Sequence, residues 1–169
     1  MTQPNFADGE RARTFTWSDP LVTASAAAEL PGIEAIRKIA AGELPPPPIA
    51  SLLDFEITLV EPGRVIFAVT PQEWMYNPIG SVHGGVAATL LDSSLGCAIH
   101  TVLPAGARYT TTDLHVRYVR GMTAETGRVL ADSRVVHAGR KLATSEGRLY
   151  AEADPERLFA HATTSCLIL

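Results

Sequence analysis

The sequence predicts an α+β domain, and three observations point to it. The stretch from Val86 to Ile99 holds no proline, draws much of its length from alanine and leucine, and is apolar nearly all round. A helix without a polar face is one that the rest of the protein wraps. On both sides of it, runs that alternate apolar and polar residues are separated by proline- and glycine-containing turns, the pattern of half-buried antiparallel strands. The chain, at 169 residues with 46% hydrophobic and 19% charged, is long enough for one domain with a real core and modest additions. No internal repeat and no second domain is apparent.

Taken in order, residues 1–18 are polar without a clear period and predict a loosely held arm. Asp19 and Pro20 suit the cap and first turn of a helix. Leu21 to Leu30 is alanine-rich enough to continue it, and Pro31-Gly32 stops it. Ile33, Ile36 and Ile39 recur at helical spacing, so a second helix is expected from Ile33 to Ala41, ended by Gly42. Pro45 through Pro48 favours a stiff polyproline spacer. The chain thus divides into an arm with short helices over residues 1–48 and a main domain over residues 49–169. The N-terminal part is expected to pack as an appendage on the domain or on a neighbouring subunit.

After the prolines the period becomes that of a strand. Leu53, Phe55, Ile57 and Leu59 alternate with Asp54, Glu56 and Thr58. Glu61-Pro62-Gly63-Arg64 forms a turn, and Val65, Phe67 and Val69 return antiparallel. The glycine-rich stretch Asn77-Pro78-Ile79-Gly80-Ser81-Val82-His83-Gly84-Gly85 breaks regular structure and feeds the central helix. Beyond the helix, Pro104-Ala105-Gly106 is a loop, and Thr111, Asp113, His115 and Arg117 alternate with Thr112, Leu114, Val116 and Tyr118. Further strands are expected over Gly127 to Val136, Leu142 to Ala151 and Phe159 to Leu167. Turns at His137-Ala138-Gly139-Arg140 and Asp154-Pro155-Glu156 connect them.

Asp92 is the only formal charge in the central helix. A lone acid in so apolar a setting is costly unless satisfied, which makes it the best pointer to chemistry. It lies nine residues after His83, on the opposite face and roughly 13–14 Å further along the axis at ~1.5 Å per residue. The glycine turn and the acid of one helix therefore cannot readily meet at one small reacting group. Two antiparallel copies packed across a twofold would bring the turn of one beside the acid of the other. An enzyme site made between subunits is the expectation, in a homodimer or a dimer of dimers.

The net charge of −4 gives no basic balance for nucleic acid or an anionic membrane. Cys97 and Cys166 make no disulfide framework, and neither they nor His100, His115, His137 and His161 have metal-ligand spacing, so no metal is expected. The central helix is shorter than the about 20 apolar residues a membrane span needs. No secretion pattern opens the sequence, so a cytoplasmic protein is expected.

Asn77, His83, Gly84, Gly85 and Asp92, set as they are around the start of a central helix, resemble the hotdog-fold thioesterases of the phenylacetate-degradation (PaaI-like) type. The resemblance continues through Thr111 to Tyr118 and through Gly139-Arg140-Lys141, and covers roughly Leu52 to Leu169. It implies a hotdog fold, one central helix wrapped by an antiparallel β-sheet, with the N-terminal helices as an extension. It also implies an acyl-CoA thioesterase that needs no metal or organic cofactor, coenzyme A being part of the substrate. On that resemblance the Gly84 N–H is the oxyanion donor with His83 beside it, and Asp92 of the partner subunit is general base or nucleophile. The physical basis is sound: a helix N-terminus supplies N–H donors and a dipole of the right sign, and glycine lets substrate approach the backbone. Asn77 would orient substrate or water, and Thr111 falls where a hydroxyl residue often assists. Gly85 and the Gly139-Arg140-Lys141 hairpin would contact substrate, the two cations reaching phosphates of coenzyme A.

Other readings stay open on the residues alone. Asn77 is equally a turn former, His83 a helix cap, Thr111 an ordinary strand residue, and Arg140 and Lys141 a solvated hairpin. A hotdog hydratase or dehydratase would act on a similar thioester, and a non-catalytic acyl-CoA-binding module would need no chemistry from Asp92.

Overall fold

The computed structural model describes residue 9 and residues 11–169. Half of the arm expected over residues 1–18, namely residues 1–8 and 10, lies outside the described residues. The rest of the arm is tied down. Arg11 pairs with Glu73 at 2.5 Å, the Arg13 guanidinium lies 3.7 Å over the Trp74 ring, and Arg13 donates to the Ser51 and Leu52 carbonyls.

The two N-terminal helices form as their residues dictate. Helix α1 runs Pro20–Ala28, with the Asp19 carboxylate accepting from the Leu21 N–H at 2.9 Å. Helix α2 runs Gly32–Ala40, so Gly32 opens it as well as following the break. A Cβ on Gly32 would lie 1.9 Å from the His100 carbonyl oxygen, and only glycine permits that approach. The expected appendage therefore packs on its own domain, with Ala35 and Ile36 buried.

The polyproline spacer is shorter than expected. Pro47 is extended at φ −63° and ψ 147°, but Pro48 is the first residue of a third helix, α3, Pro48–Leu53. A proline there loses nothing, because the first helical N–H has no partner in any case. Leu53 thus belongs to a helix and not to the strand, and Asp54 ends that helix in the left-handed region at φ 59°.

Strand β1, Phe55–Glu61, turns through Gly63 (φ 76°) into β2, Arg64–Val69. Helix α4 then spans Gly84–His100, and β3 (Tyr109–Tyr118), β4 (Val129–Ala138), β5 (Leu142–Ala151) and β6 (Asp154–Ile168) complete the domain. The six strands form one antiparallel sheet in the order β1-β2-β4-β5-β6-β3. Two boundaries differ from expectation. Gly127, at φ 78°, lies ahead of β4, which continues past Val136 by way of a register shift between Val135 and His137. Asp154-Pro155-Glu156 is the start of β6 and not a turn, since Asp154 already pairs with Ala151. Proline is tolerated at a strand's beginning, where few ladder bonds are lost.

The sheet wraps α4. Leu90, Leu91, Leu95, Ala98 and Ile99 are at most 1% exposed. Most of this face, Leu90 through Ala98, packs into one cluster with Val65, Phe67, Val129, Leu149 and Phe159. Even its polar residues are matched: the Ser94 and Ser133 hydroxyls meet at 2.7 Å, and Ser145 donates to the Leu95 carbonyl at 3.1 Å. This is the hotdog arrangement the resemblance implies, a single helix in the grip of an antiparallel sheet whose two edges are β1 and β3.

Candidate active site

The loop that feeds α4 is closed by Asn77. Its Oδ1 accepts from the Ile79 and Ser81 N–H groups at 3.0 and 3.2 Å, and its Nδ2 donates to Ser81 Oγ at 3.0 Å. Gly80 takes the positive φ of 81° that this turn requires. The chain then reaches His83, the N-cap, whose Nδ1 accepts from the Gly85 N–H at 2.9 Å. That bond places the ring proton on Nε2 when the imidazole is neutral. It also commits the Gly85 donor, whereas the Gly84 N–H has no acceptor among the described residues. The Gly84 carbonyl accepts from the Tyr118 hydroxyl at 3.1 Å, and a Cβ on Gly84 would lie 3.2 Å from the Tyr118 ring. Gly84 borders a cleft of about 290 Å³ with Val82, Ala87 and Tyr118, and Gly85 a separate one of about 420 Å³ with Trp74, His83 and Thr89.

Further along α4, Asp92 is half-buried, and its Oδ1 accepts from the Thr111 hydroxyl on β3 at 3.2 Å. The structure thus brings together two of the sequence-predicted residues. They border a cavity of about 680 Å³ shared with Ser93, Gly96 and Cys97 of α4 and with Tyr109 of β3. Phe55, Glu56, Ile57 and Phe67 also line it, as do Ile36, Ile39, Ala40, Pro46 and Pro47. His83, Gly84 and Gly85 do not line it. Within one chain the glycine turn and the acid stay apart, as helix geometry requires.

Three side chains around Asp92 went unmarked in the sequence reading. Burial, with a smaller contribution from the Asp92 charge, pushes the Cys97 thiol up to about 12. Burial also holds the Tyr109 phenol well above its ordinary value of 10.0. Cys166, 4.0 Å from the Thr111 hydroxyl, is raised in the same sense, again chiefly by burial. The acid therefore faces protonated thiols and a protonated phenol near neutral pH, and a cysteine thiolate is not on offer as nucleophile. One signal did lie in the sequence: a glycine inside a buried helix marks a close approach. A Cβ on Gly96 would stand 3.0 Å from the Tyr109 ring.

The Gly139-Arg140-Lys141 hairpin joins β4 to β5, with the Gly139 N–H donating to the Leu142 carbonyl at 2.9 Å. Arg140 and Lys141 are exposed and border neither the Asp92 cavity nor the two clefts beside the start of α4. Among the described residues no three His, Cys, Asp or Glu side chains converge as a metal site. Nor is any described helix long and apolar enough to cross a membrane.

Known proteins share this architecture. The sequence pattern of the Thioesterase superfamily matches residues 79–157, from the glycine turn through Asp92 and Thr111 into β6. A protein of Halobacterium salinarum, provisionally named an esterase, is 39% identical over 77 residues, 44% of this chain and 49% of that one. The chain thus spans about half the length of that relative. Among solved structures, a thioesterase family protein from Silicibacter pomeroyi superposes with a TM-score of 0.69 at 27% identity, covering 79% of this chain and 95% of the other. A phenylacetic acid degradation-related protein from Ralstonia eutropha, provisionally a thioesterase, does so with a TM-score of 0.69 at 26% identity, covering 78% and 98%. The PaaI protein of E. coli shares the fold with a TM-score of 0.69 at 18% identity, covering 83% and 96%.

Proposed function

We propose, from the match of residues 79–157 to the Thioesterase superfamily, that the chain is an acyl-CoA thioesterase, releasing a free carboxylic acid and coenzyme A. The observation that carries this reading is the pairing of two unspent groups. One is the Gly84 N–H at the start of a buried helix; the other is the Asp92 carboxylate in a cavity that the same helix end does not reach.

The proposed site is completed by a second copy. Strand β3 is ten residues long and lies at an edge of the sheet, so its outer N–H and C=O groups are available to another strand. Thr110 and Thr111 of that edge also border the Asp92 cavity. Antiparallel pairing of two β3 edges across a twofold would bring one copy's helix start to the other's cavity. The thioester carbonyl oxygen would accept from Gly84 N–H, which stabilises the negative charge that grows there. Asp92 of the partner subunit would then act in one of two ways. As base it takes a proton from water while the oxygen attacks the carbonyl carbon; the C–S bond breaks and the thiolate leaves, taking up a proton. As nucleophile it forms a mixed anhydride, expels the thiolate, and is regenerated when water cleaves the anhydride.

Thr111 holds Asp92 by its hydrogen bond, Asn77 shapes the loop that presents His83 and Gly84, and His83 fixes the Gly85 donor. Gly139, Arg140 and Lys141 are proposed to meet the nucleotide end of coenzyme A. A cytoplasmic homodimer or dimer of dimers, with no added cofactor, completes the reading. Its test is thiol release from a series of acyl-CoAs. Hydrolysis liberates a free thiol; hydration of the acyl chain or simple binding does not, and a series that yields none overturns the proposal.

A further inference from the structure

Part of the Asp92 cavity is walled by residues that lie outside the superfamily match. Its apolar side is built by Ile36, Ile39 and Ala40 of α2 and by Pro46 and Pro47, whereas the superfamily match begins at residue 79. This wall is fixed at both ends. Gly32 donates to the Leu103 carbonyl at 3.1 Å and sits against His100. Thr23 of α1 donates to the Pro45 carbonyl at 2.7 Å. Between those anchors Ala35 is 0% and Ile36 4% exposed, so α2 is packed as core and not laid on as a loose cover. Phe55, Ile57 and Phe67, also apolar, line the cavity with it, as does Glu56 of β1. Besides Glu56, the polar side chains are Asp92 and Ser93 of α4 and Tyr109, Thr110 and Thr111 of β3.

We propose that α2 and the Pro46-Pro47 segment form the acyl-recognition wall, so that the site takes thioesters with an apolar acyl tail whose length is read by Ile39 and Ala40. This rests on the acyl-CoA reading above and names the substrate class within it. A cavity of about 680 Å³ falls in the range that encloses a small organic ligand. The α2 side chains that line it are apolar, and Glu56 of the neighbouring β1 has its carboxylate already engaged by Arg128 at 2.6 Å, so a distal carboxylate would find no cationic partner there and would meet a like charge. Each added methylene, in contrast, should strengthen binding by about fourfold until the wall is reached. Ile39 is half-buried and Ala40 exposed at the rim, which makes both open to substitution without cutting into the core.

Binding of S-alkyl-CoA thioethers tests this without relying on turnover, because they have no carbonyl to hydrolyse. Butyl, hexyl, octyl and decyl thioethers would be titrated calorimetrically into the 169-residue chain. In the wild type, affinity should climb with chain length and then level off. Ala40→Phe should leave the butyl compound near its wild-type affinity and weaken the longer ones by tenfold or more. Ile39→Ala should move the plateau to a longer chain, and it keeps the test open if the phenylalanine variant does not fold. An affinity that ignores chain length, or a length profile unchanged in folded variants, overturns the inference. Thiol release by the wild type on the matching acyl-CoAs is scored separately. Thioethers that bind while no thiol is released would sink the thioesterase reading alone, and turnover with a profile blind to α2 would sink this inference alone.

Discussion

A site shared between subunits makes a quantitative demand on mixed dimers. One copy carries Gly84→Val and the other Asp92→Asn. At position 84 the first added carbon would already stand 3.2 Å from the Tyr118 ring, closer than ordinary van der Waals contact. Valine's two further methyls must displace that ring and crowd the Gly84 N–H. At position 92 the amide keeps the carboxylate's shape and can still accept from Thr111, now 3.2 Å from Oδ1. It can neither take a proton from water nor attack a carbonyl, so each affected site should lose about 10²- to 10⁴-fold in kcat. Both homodimers are then nearly dead. In the heterodimer the twofold gives one site both lesions and the other neither. Its activity should be about half that of the wild type.

Unbiased co-folding yields heterodimers as about half of all dimers, so the mixture should recover roughly a quarter of wild-type activity. Two different affinity tags isolate the heterodimer, and thiol release measures it. A purified heterodimer as inactive as its parents would place turn and acid in the same chain's site and refute the shared arrangement. An Asp92→Asn homodimer with near-normal kcat would remove Asp92 from the chemistry.

Further outcomes follow from the same geometry. Arg140→Ala should raise KM for acyl-CoA several-fold and leave KM for the corresponding pantetheine thioester unchanged; an equal loss on both substrates would give the hairpin a structural role instead. Gly96→Ala adds a carbon 3.0 Å from the Tyr109 ring. Overpacking of about 1–3 kcal/mol should outweigh the ~1 kcal/mol that alanine gains in helix propensity, so a rise in melting temperature would contradict that contact. Stability should also fall in alkali, because Cys97 titrates at its ordinary 9.0 when unfolded and about 12 when folded. Unfolding then releases a proton between those values, so this contribution is complete below pH 9 and is lost as pH climbs toward 12. Urea midpoints at pH 8 and pH 10.5 should differ less in Cys97→Ala than in the wild type.

What could be read from the sequence was what depends on local period. The buried helix and the sheet strands follow from the spacing of apolar residues, and Asp92 stands out because nothing else in its helix is charged. A helix of 6 residues, under two turns, is too short for its period to stand out, which is why Leu53 read as the first apolar position of β1 while it closes α3. Pro48 misled for a related reason, since the same residue continues a polyproline segment or opens a helix equally well. Asn77 read evenly as turn former or site residue; the structure spends its amide on its own loop. The neighbours of Asp92 were beyond reach in a different way. Tyr109 and Thr111 meet α4 only because β3 pairs with β6 across more than 40 positions of chain, and no local pattern encodes such a contact. The α2 wall is the same case: Ile36 and Ile39 were legible as helical, but not as the far side of a cavity.

Whether Asp92 is structural or chemical can be weighed against another acid of the same chain. Asp132, also half-buried, receives the Arg64 guanidinium on both oxygens at 2.9 and 2.8 Å. That is how a carboxylate is held when its task is to stay put, with a charged fork matched to its geometry. On α4, Thr89 donates to the Gly85 carbonyl at 2.9 Å, and Ser94 is locked to Ser133 of β4. Asp92 receives one neutral hydroxyl, on one oxygen, at 3.2 Å. Its other oxygen has no donor among the described residues, and the residue borders the cavity. An acid of purely structural worth would be poorly served there, because an apolar side chain of similar size would avoid its desolvation cost altogether. The same placement suits a group that must accept a proton or attack a carbon, since its remaining lone pairs are left to the reaction. The contrast between Asp132 and Asp92 therefore favours chemistry at position 92, and the mixed dimer decides in which subunit's site that chemistry takes place.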